Sequence, residues 1–128
     1  MHPNALVIRD FFAHFGERAT IERVFAPDAT WREPGSSPIS GRYVGRDAVA
    51  DLIMSVVERS GGTFRVVEVV DVLANDRFGL ALVTVDATNA GRTITTTDRV
   101  VFEFRDGLII DARVLSEDQA EVDAFWAD

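Results

Sequence analysis

The sequence predicts a single α+β domain in which helices come first and a curved antiparallel sheet follows. Up to residue 60, hydrophobic residues recur mainly at helical spacing; after it they alternate with a period of two. Short turn sequences separate the alternating stretches. A chain of 128 residues, 47% of them hydrophobic, is large enough for one compact core. We therefore predict one domain over residues 1–128.

Three helices are predicted in the N-terminal half. The first spans Ala5–Phe15, where apolar residues follow a helical period. A short second helix opens at Thr20 as its N-cap and stops at Pro27. The stretch Thr30–Glu33 is extended in character. The third helix carries a single apolar face, made of Val49, Leu52, Ile53, Val56 and Val57.

Four long strands are predicted after the third helix. Their bounds are Thr63–Ala74, Arg77–Thr88, Arg92–Arg105 and Leu108–Leu115. Because the connections are short hairpin turns, strands of this length form a strongly bent sheet, and the helices should cover one face of it. The chain closes with Ser116–Gln119, a capping-box pattern that predicts a short C-terminal helix.

Composition and motifs exclude several classes of function. The 13 basic residues against 21 acidic ones give a net charge of −8, which argues against nucleic acid and anionic membranes. There is no cysteine, and the two histidines, His2 and His14, are far apart in sequence, so no metal site is predicted. Neither a dinucleotide-binding nor a P-loop motif is present, so no cofactor is predicted. Carboxylates remain as the candidate catalysts.

No secretory signal or membrane span is predicted. The start Met1–Asn4 lacks a basic region, and Arg9 and Asp10 interrupt the apolar stretch that follows. A cytoplasmic location is the resulting prediction.

Asp98 is the first candidate catalytic residue. It shares a strand face with Val100 and Phe102, which predicts an inward, desolvated carboxyl with a raised pKa. Such a group can donate a hydrogen bond or act as a general acid. The alternatives are a solvated rim position, because the neighbouring Thr95–Thr97 run is polar on both faces, or an ion pair with a nearby arginine.

Glu33 is the second candidate. It alternates with Trp31 and is followed by Pro34, which keeps the backbone extended. A glutamate beside an indole in a closed site can act as a general base near neutral pH. On composition alone, an exposed glutamate at a strand end is the more common situation.

Two further side chains are weaker candidates. Asp86 shares a strand face with Leu80 and Leu82, but solvation at a strand edge or a register shift is the simpler interpretation. His14 borders the apolar stripe of the first helix, one turn after Asp10. An Asp–His pair can tune a proton donor, although a surface ion pair is the more common arrangement.

The order of elements and the motif FAPDATWREPGSSPISG, Phe25 to Gly41, resemble the nuclear transport factor 2-like superfamily, and within it the SnoaL-like and ketosteroid isomerase-like proteins. The stretches Gly45–Val49 and Val101–Ile109 fit the same resemblance, which covers nearly the whole chain. It implies a cone-shaped sheet around a deep, mostly apolar pocket. The superfold hosts isomerases, cyclases, dehydratases, epoxide hydrolases and non-catalytic modules. The resemblance therefore implies the fold more strongly than it implies the reaction.

The resemblance also implies roles for single residues. In ketosteroid isomerases a carboxylate just before a proline is the general base, and Glu33 occupies that place here. The isomerases' helix-1 tyrosine has no counterpart near Phe11. Their strand acid falls at Val100, two residues after Asp98 on the same face. The Arg-x-Asp pair of limonene epoxide hydrolase-like members is not reproduced, since Thr84–Asp86 stands near its place.

The leading hypothesis is a cofactor-independent enzyme of the isomerase, cyclase or dehydratase type, acting on a hydrophobic carbonyl-bearing molecule such as a polyketide or terpenoid. Glu33 would move a proton and Asp98 would donate a hydrogen bond to the developing oxyanion. The predicted substrate-binding residues are Trp31, Tyr43, His14, Phe102, Val100 and Asp86. The alternatives are a non-catalytic ligand-binding or dimerisation module and an epoxide hydrolase-like enzyme. By analogy with the family, we expect a homodimer formed through the sheet.

Overall fold

The computed structural model describes all residues from 1 to 128 and has four helices and six strands. In chain order these are α1 Pro3–Ala13, α2 Arg18–Val24, β1 Phe25–Glu33, β2 Gly41–Val44, α3 Arg46–Arg59, β3 Arg65–Ala74, β4 Phe78–Asn89, β5 Arg92–Arg105, β6 Leu108–Ser116 and α4 Gln119–Trp126. The predicted fold class, an α+β domain with a short C-terminal helix, is confirmed. The helices do not all precede the sheet, however, because β1 and β2 come before α3.

The six strands form one sheet in the order β2-β1-β6-β5-β4-β3. The hairpins β3–β4, β4–β5 and β5–β6 are antiparallel, as their turn sequences predict. Asp106 and Gly107, with φ of 52° and 79°, show why a residue pair of this kind suits a tight hairpin turn. The sequence did not predict one feature: β1 pairs with β6 in parallel, which makes the sheet mixed.

Two helix starts differ from the prediction. The second helix begins at Arg18, and Thr20 is buried inside it, so Thr20 does not cap the helix. The C-terminal helix is capped by Asp118, whose side chain accepts a hydrogen bond from the Glu121 backbone N–H. Ser116 instead ends β6, because its pairing with Asp98 extends the strand.

The core lies between the helices and the inner face of the sheet. Helix α1 packs against β3 and β4, and α3 packs against β1 and β2. Phe11 of α1 is almost completely buried, and its ring contacts those of Trp31 and Phe102 at centroid distances of 5.9 and 6.4 Å. This aromatic packing forms part of the core, and Trp31 also lines a cavity under the sheet. None of the helices has the length and apolarity that a membrane span requires.

Candidate active site

The cavity lies between α1, α3, α4 and the inner face of the curved sheet. It holds about 730 Å³ of space between atoms, counted out to its open mouth. Most of its walls are apolar, and the polar side chains among the lining residues belong to Glu33, Thr96, Asp98 and Ser116. No lysine, arginine or histidine lines it. A pocket with apolar walls and a few polar groups is the usual form of a small-molecule site.

Glu33 is positioned by the end of β1. Because Trp31 and Glu33 are two residues apart on one strand, their side chains point to the same, inner face. The Trp31 Nε1–H donates a hydrogen bond to Glu33 Oε1 at 3.1 Å. Burial raises the pKa of the Glu33 carboxyl to about 8, against the opposing effect of the Trp31 hydrogen bond and with a further increase from the negative charge of Asp98.

Asp98 lies in the middle of β5, opposite Val83 of β4 and Ser116 of β6. Burial raises the pKa of its carboxyl to about 6. Its Oδ1 atom is buried and has no hydrogen-bond partner. A buried, unpartnered carboxylate oxygen costs free energy, which a ligand with a hydrogen-bond donor can recover.

The two carboxyls share one cavity but differ in protonation. At pH 7, a pKa of about 6 leaves Asp98 mostly ionised, whereas a pKa of about 8 leaves Glu33 mostly protonated. The site therefore presents one proton acceptor and one proton donor at the same pH. Two titratable groups whose pKa values are separated by their environments form an acid–base pair.

Aromatic rings form the wall around these acids. The ring of Phe64 lies 5.1 Å from that of Phe15 and 6.5 Å from that of Trp126, centroid to centroid. Trp126 belongs to α4, so the C-terminal helix closes part of the cavity. Flat aromatic walls favour ligands that are themselves flat or cyclic.

The structure brings four of the sequence-predicted site residues into this cavity: Glu33, Asp98, Trp31 and Val100. Phe102 lies behind the cavity, fully buried against Phe12 of α1. Its side chain contributes to the core and does not line the site.

Tyr43, His14 and Asp86 also lie outside the cavity. The Tyr43 hydroxyl donates to the Ile39 carbonyl at 2.7 Å, and burial together with the Glu33 carboxyl raises the pKa of Tyr43. His14 is exposed at the end of α1 and pairs with Asp10 at 2.9 Å, the surface alternative considered for it.

Asp86 is on the outer face because β4 turns Ala81, Val83 and Val85 inward. There its carboxylate accepts hydrogen bonds from Arg65 at 2.8 and 3.0 Å. The Arg65 guanidinium lowers the pKa of this carboxyl, in contrast to the two acids of the cavity.

Sequence reasoning missed several lining residues, above all Thr96, Ser116 and Trp126. The alternation of β5 already placed Thr96 on the same face as Asp98. Ser116 could be found only from its pairing with Asp98, since its local sequence indicates a helix cap. No three His, Asp or Glu side chains come together in a way that could hold a metal ion.

Comparison with known proteins agrees with the fold. Residues 8–112 match the SnoaL-like domain family, and the chain belongs to this family. The sequence matches none of the curated proteins significantly.

Three solved structures illustrate the similarity. Bal32a, from a soil-derived mobile gene cassette, is 31% identical, covers 97% of this chain and 96% of its own, and superposes with a TM-score of 0.92. A nuclear transport factor 2-like protein of unknown function from Burkholderia pseudomallei is 21% identical, with full coverage of both chains (100% and 100%) and a TM-score of 0.86. A protein from Jannaschia sp. CCS1 assigned as a SnoaL-like polyketide cyclase is 14% identical, covering 98% and 93%, with a TM-score of 0.79.

Proposed function

We propose that the protein is a cofactor-independent enzyme that moves a proton within a neutral, hydrophobic, carbonyl-bearing substrate, in a reaction of the isomerase, cyclase or dehydratase type. The observation that carries this proposal is the pair of carboxyls, Glu33 and Asp98, with unequally raised pKa values in one apolar cavity. Proton transfer between carbon and oxygen needs one base and one acid and no further group.

In this proposal Asp98 is the base and Glu33 is the acid, the reverse of the roles that the sequence suggests. Asp98 is the acid that is ionised at neutral pH, and its free Oδ1 atom can accept a proton from the substrate. Protonated Glu33 can donate a hydrogen bond to the carbonyl oxygen as negative charge develops there. These roles require the carbonyl oxygen of the bound substrate to lie near the Glu33 carboxyl and its acidic C–H to lie near the Asp98 carboxylate.

The charge of the cavity limits the substrate class. Because no cationic side chain lines it, a carboxylate or phosphate on the ligand would be desolvated without a partner. The apolar and aromatic walls instead favour cyclic polyketide-like or terpenoid-like ketones. A fold shared with an assigned polyketide cyclase is compatible with this class, but the proposal depends on the side chains.

A panel of neutral bicyclic and terpenoid ketones, each with a carboxylate-bearing counterpart, tests the proposal. We expect the neutral ketones to raise the melting temperature and the carboxylates to leave it unchanged, because binding adds to folded-state stability. In D₂O, the bound ketones should exchange α-protons for deuterium faster with the protein than in buffer, which NMR measures. Ketones that bind without accelerated exchange would contradict catalysis and favour a ligand-binding module.

We further propose a homodimer formed through an outer apolar patch on the sheet, consisting of Leu73, Leu80, Leu82, Val101 and Leu115. Three of its leucines expose large parts of their side chains: Leu73 by 65%, Leu115 by 52% and Leu80 by 42%. Leu73 faces Leu80 across β3–β4, and Leu80 faces Val101 across β4–β5, so these three side chains are contiguous. Leu82 and Leu115 both pair with Arg99, which stands between them. Contiguous exposed apolar surface is typical of a protein interface.

Sedimentation velocity over a concentration series tests the dimer. We expect Leu80→Asp to shift the protein to monomer, because it places a charge in the outer apolar patch. Leu6→Asp is the matched control, since Leu6 is exposed by 55% on α1, away from the sheet's outer face. A monomer at every concentration of the unaltered protein would refute this assembly.

A further inference from the structure

Helix α4 is fastened to the segment that directly follows Glu33. Asp123 accepts hydrogen bonds from Ser36 through both carboxylate oxygens, from the backbone N–H at 3.2 Å and from the hydroxyl at 3.3 Å. Gln119 Nε2 donates to the Pro34 carbonyl at 3.4 Å and to Asp123 Oδ1 at 3.0 Å. These contacts, here called the α4 clamp, tie Gln119 and Asp123 to residues 34–36.

Gly35 allows the α4 clamp to form. Its φ is +91°, a conformation that side-chain-bearing residues seldom adopt. A Cβ atom at this position would lie 2.9 Å from Asp123 Cγ and would overlap Asp123 Oδ1 and Gln119 Nε2. The backbone next to Glu33 and the polar side of α4 are therefore in direct contact, and only glycine leaves room for it.

The opposite side of the same helix forms part of the cavity wall through Val122 and Trp126. At its C-terminal end, α4 is held by Arg92, whose Nη1 donates to the Ala124, Phe125 and Ala127 carbonyls at 2.9, 2.9 and 2.8 Å. The α4 clamp fastens the other end. Helix α4 lies outside residues 8–112, the part of the chain that matches the family.

We propose that Gln119 and Asp123 are positioning residues, which hold the Glu33 carboxyl in the cavity at the same time as they close α4 over it. The role of Glu33 as acid rests on the proposed function, whereas its placement by the α4 clamp does not. One helix then determines both the closed wall of the site and the orientation of one of its two acids. Loss of the α4 clamp should expose Glu33 to water and loosen the wall at Trp126.

Asp123→Ala tests this inference in the full chain. The two tryptophans, Trp31 and Trp126, both line the cavity, and the Trp31 indole N–H is bonded to Glu33. A pH titration of the Trp31 indole ¹H–¹⁵N resonance therefore reports the Glu33 pKa. We expect the midpoint to fall by about one unit or more in Asp123→Ala, because hydration favours the ionised form. Dissociation of the neutral probe 2-naphthol should become roughly five-fold faster or more.

Three controls separate the α4 clamp from general damage. Asp123→Asn keeps an oxygen for the Ser36 N–H and should restore the unaltered titration. Glu121→Ala removes another acid from α4, one that hydrogen-bonds through its backbone N–H to Asp118 and not to residues 34–36, and should leave the midpoint in place. Gly35→Ala should act like Asp123→Ala, whereas Gly45→Ala, at φ +95° with no atom within 4 Å, should not shift the midpoint.

An unchanged Trp31 titration together with unchanged 2-naphthol kinetics in Asp123→Ala would overturn the inference. If α4 unfolds in Asp123→Ala, the variant Gln119→Ala provides the test instead, because it keeps the hydrogen bonds between Asp123 and Ser36. It should still lower the midpoint of the Trp31 titration. Neither readout needs turnover. A failure of this inference is therefore distinguishable from a failure of the proposed reaction, because the reaction is measured separately by α-proton exchange in the ketones.

Discussion

Asp98→Asn is expected to lower the rate of α-proton exchange in a responsive ketone by about 100-fold to 10,000-fold, the usual contribution of a general base. Asparagine has nearly the same shape as aspartate but cannot accept the proton, so binding should persist while exchange is lost. Glu33→Gln should cost less, because the glutamine amide still donates a hydrogen bond to the carbonyl oxygen. Glu33→Leu, which removes the donor, should cost more than Glu33→Gln.

The ratio of the rate losses in Asp98→Asn and Glu33→Gln shows which of the two carboxyls is the base and which is the acid. Asp86→Asn is the matched control, since Asp86 pairs with Arg65 on the outer face and should not alter the rate when replaced. A larger loss in Glu33→Gln than in Asp98→Asn would make Glu33 the base and return to the roles that the sequence suggests. If neither substitution changes a measured exchange rate, the carboxyl pair is not the catalyst.

Stability is expected to decrease as the pH rises from about 5 to about 8. A carboxyl with a raised folded-state pKa keeps its proton to a higher pH in the folded protein than in the unfolded chain. The contribution of each carboxyl to folded-state stability is therefore complete below its unfolded pKa, near 4. This contribution is lost as the pH rises through the folded pKa, which is about 6 for Asp98 and about 8 for Glu33. For Asp98 alone the loss is roughly 3 kcal/mol over its full range, from below the unfolded pKa to above the folded pKa.

Urea unfolding at several pH values measures this dependence. The double variant Glu33→Gln with Asp98→Asn should be more stable than the unaltered protein at pH 8, and its stability should change little between pH 5 and pH 8. The Arg-paired acids act in the other direction at lower pH: arginines lower the pKa values of Asp10, Asp28 and Asp86, so their contribution is lost in acid. A stability that rises between pH 5 and pH 8 would contradict the raised pKa values of the cavity acids.

A loss of folded-state stability at neutral pH is reasonable at an active site. Two carboxyls in an apolar cavity destabilise the folded protein at neutral pH, and a fold retains them where they serve a purpose. The unpartnered Oδ1 atom of Asp98 indicates the same thing, because a purely structural aspartate would be paired as Asp86 is. The cavity acids and the surface acids thus differ in pKa direction because burial raises the pKa of the former, whereas a nearby guanidinium lowers the pKa of the latter.

The sequence predicts the elements of this fold well, because periodicity and turn residues are local properties. The alternation in β5 correctly turns Asp98, Val100 and Phe102 inward, and the Asp106–Gly107 turn correctly joins β5 to β6. The inward position of Glu33 follows in the same way from its spacing to Trp31. Where the local signal is ambiguous, as at Ser116, the structure differs because pairing with Asp98 stabilises the strand more than the capping pattern favours a helix.

By itself, the sequence determined the fold class, the absence of thiol chemistry and the two carboxyls that deserve a test. Only the tertiary structure decided that these carboxyls share one cavity, that Asp86 and His14 do not reach it, and that α4 closes over the residue after Glu33. The reason is that a pKa and a pocket depend on contacts between residues far apart in the chain. Glu33 and Asp98 are separated by more than half the sequence, and the burial that sets their protonation comes from strands and helices that no local pattern connects.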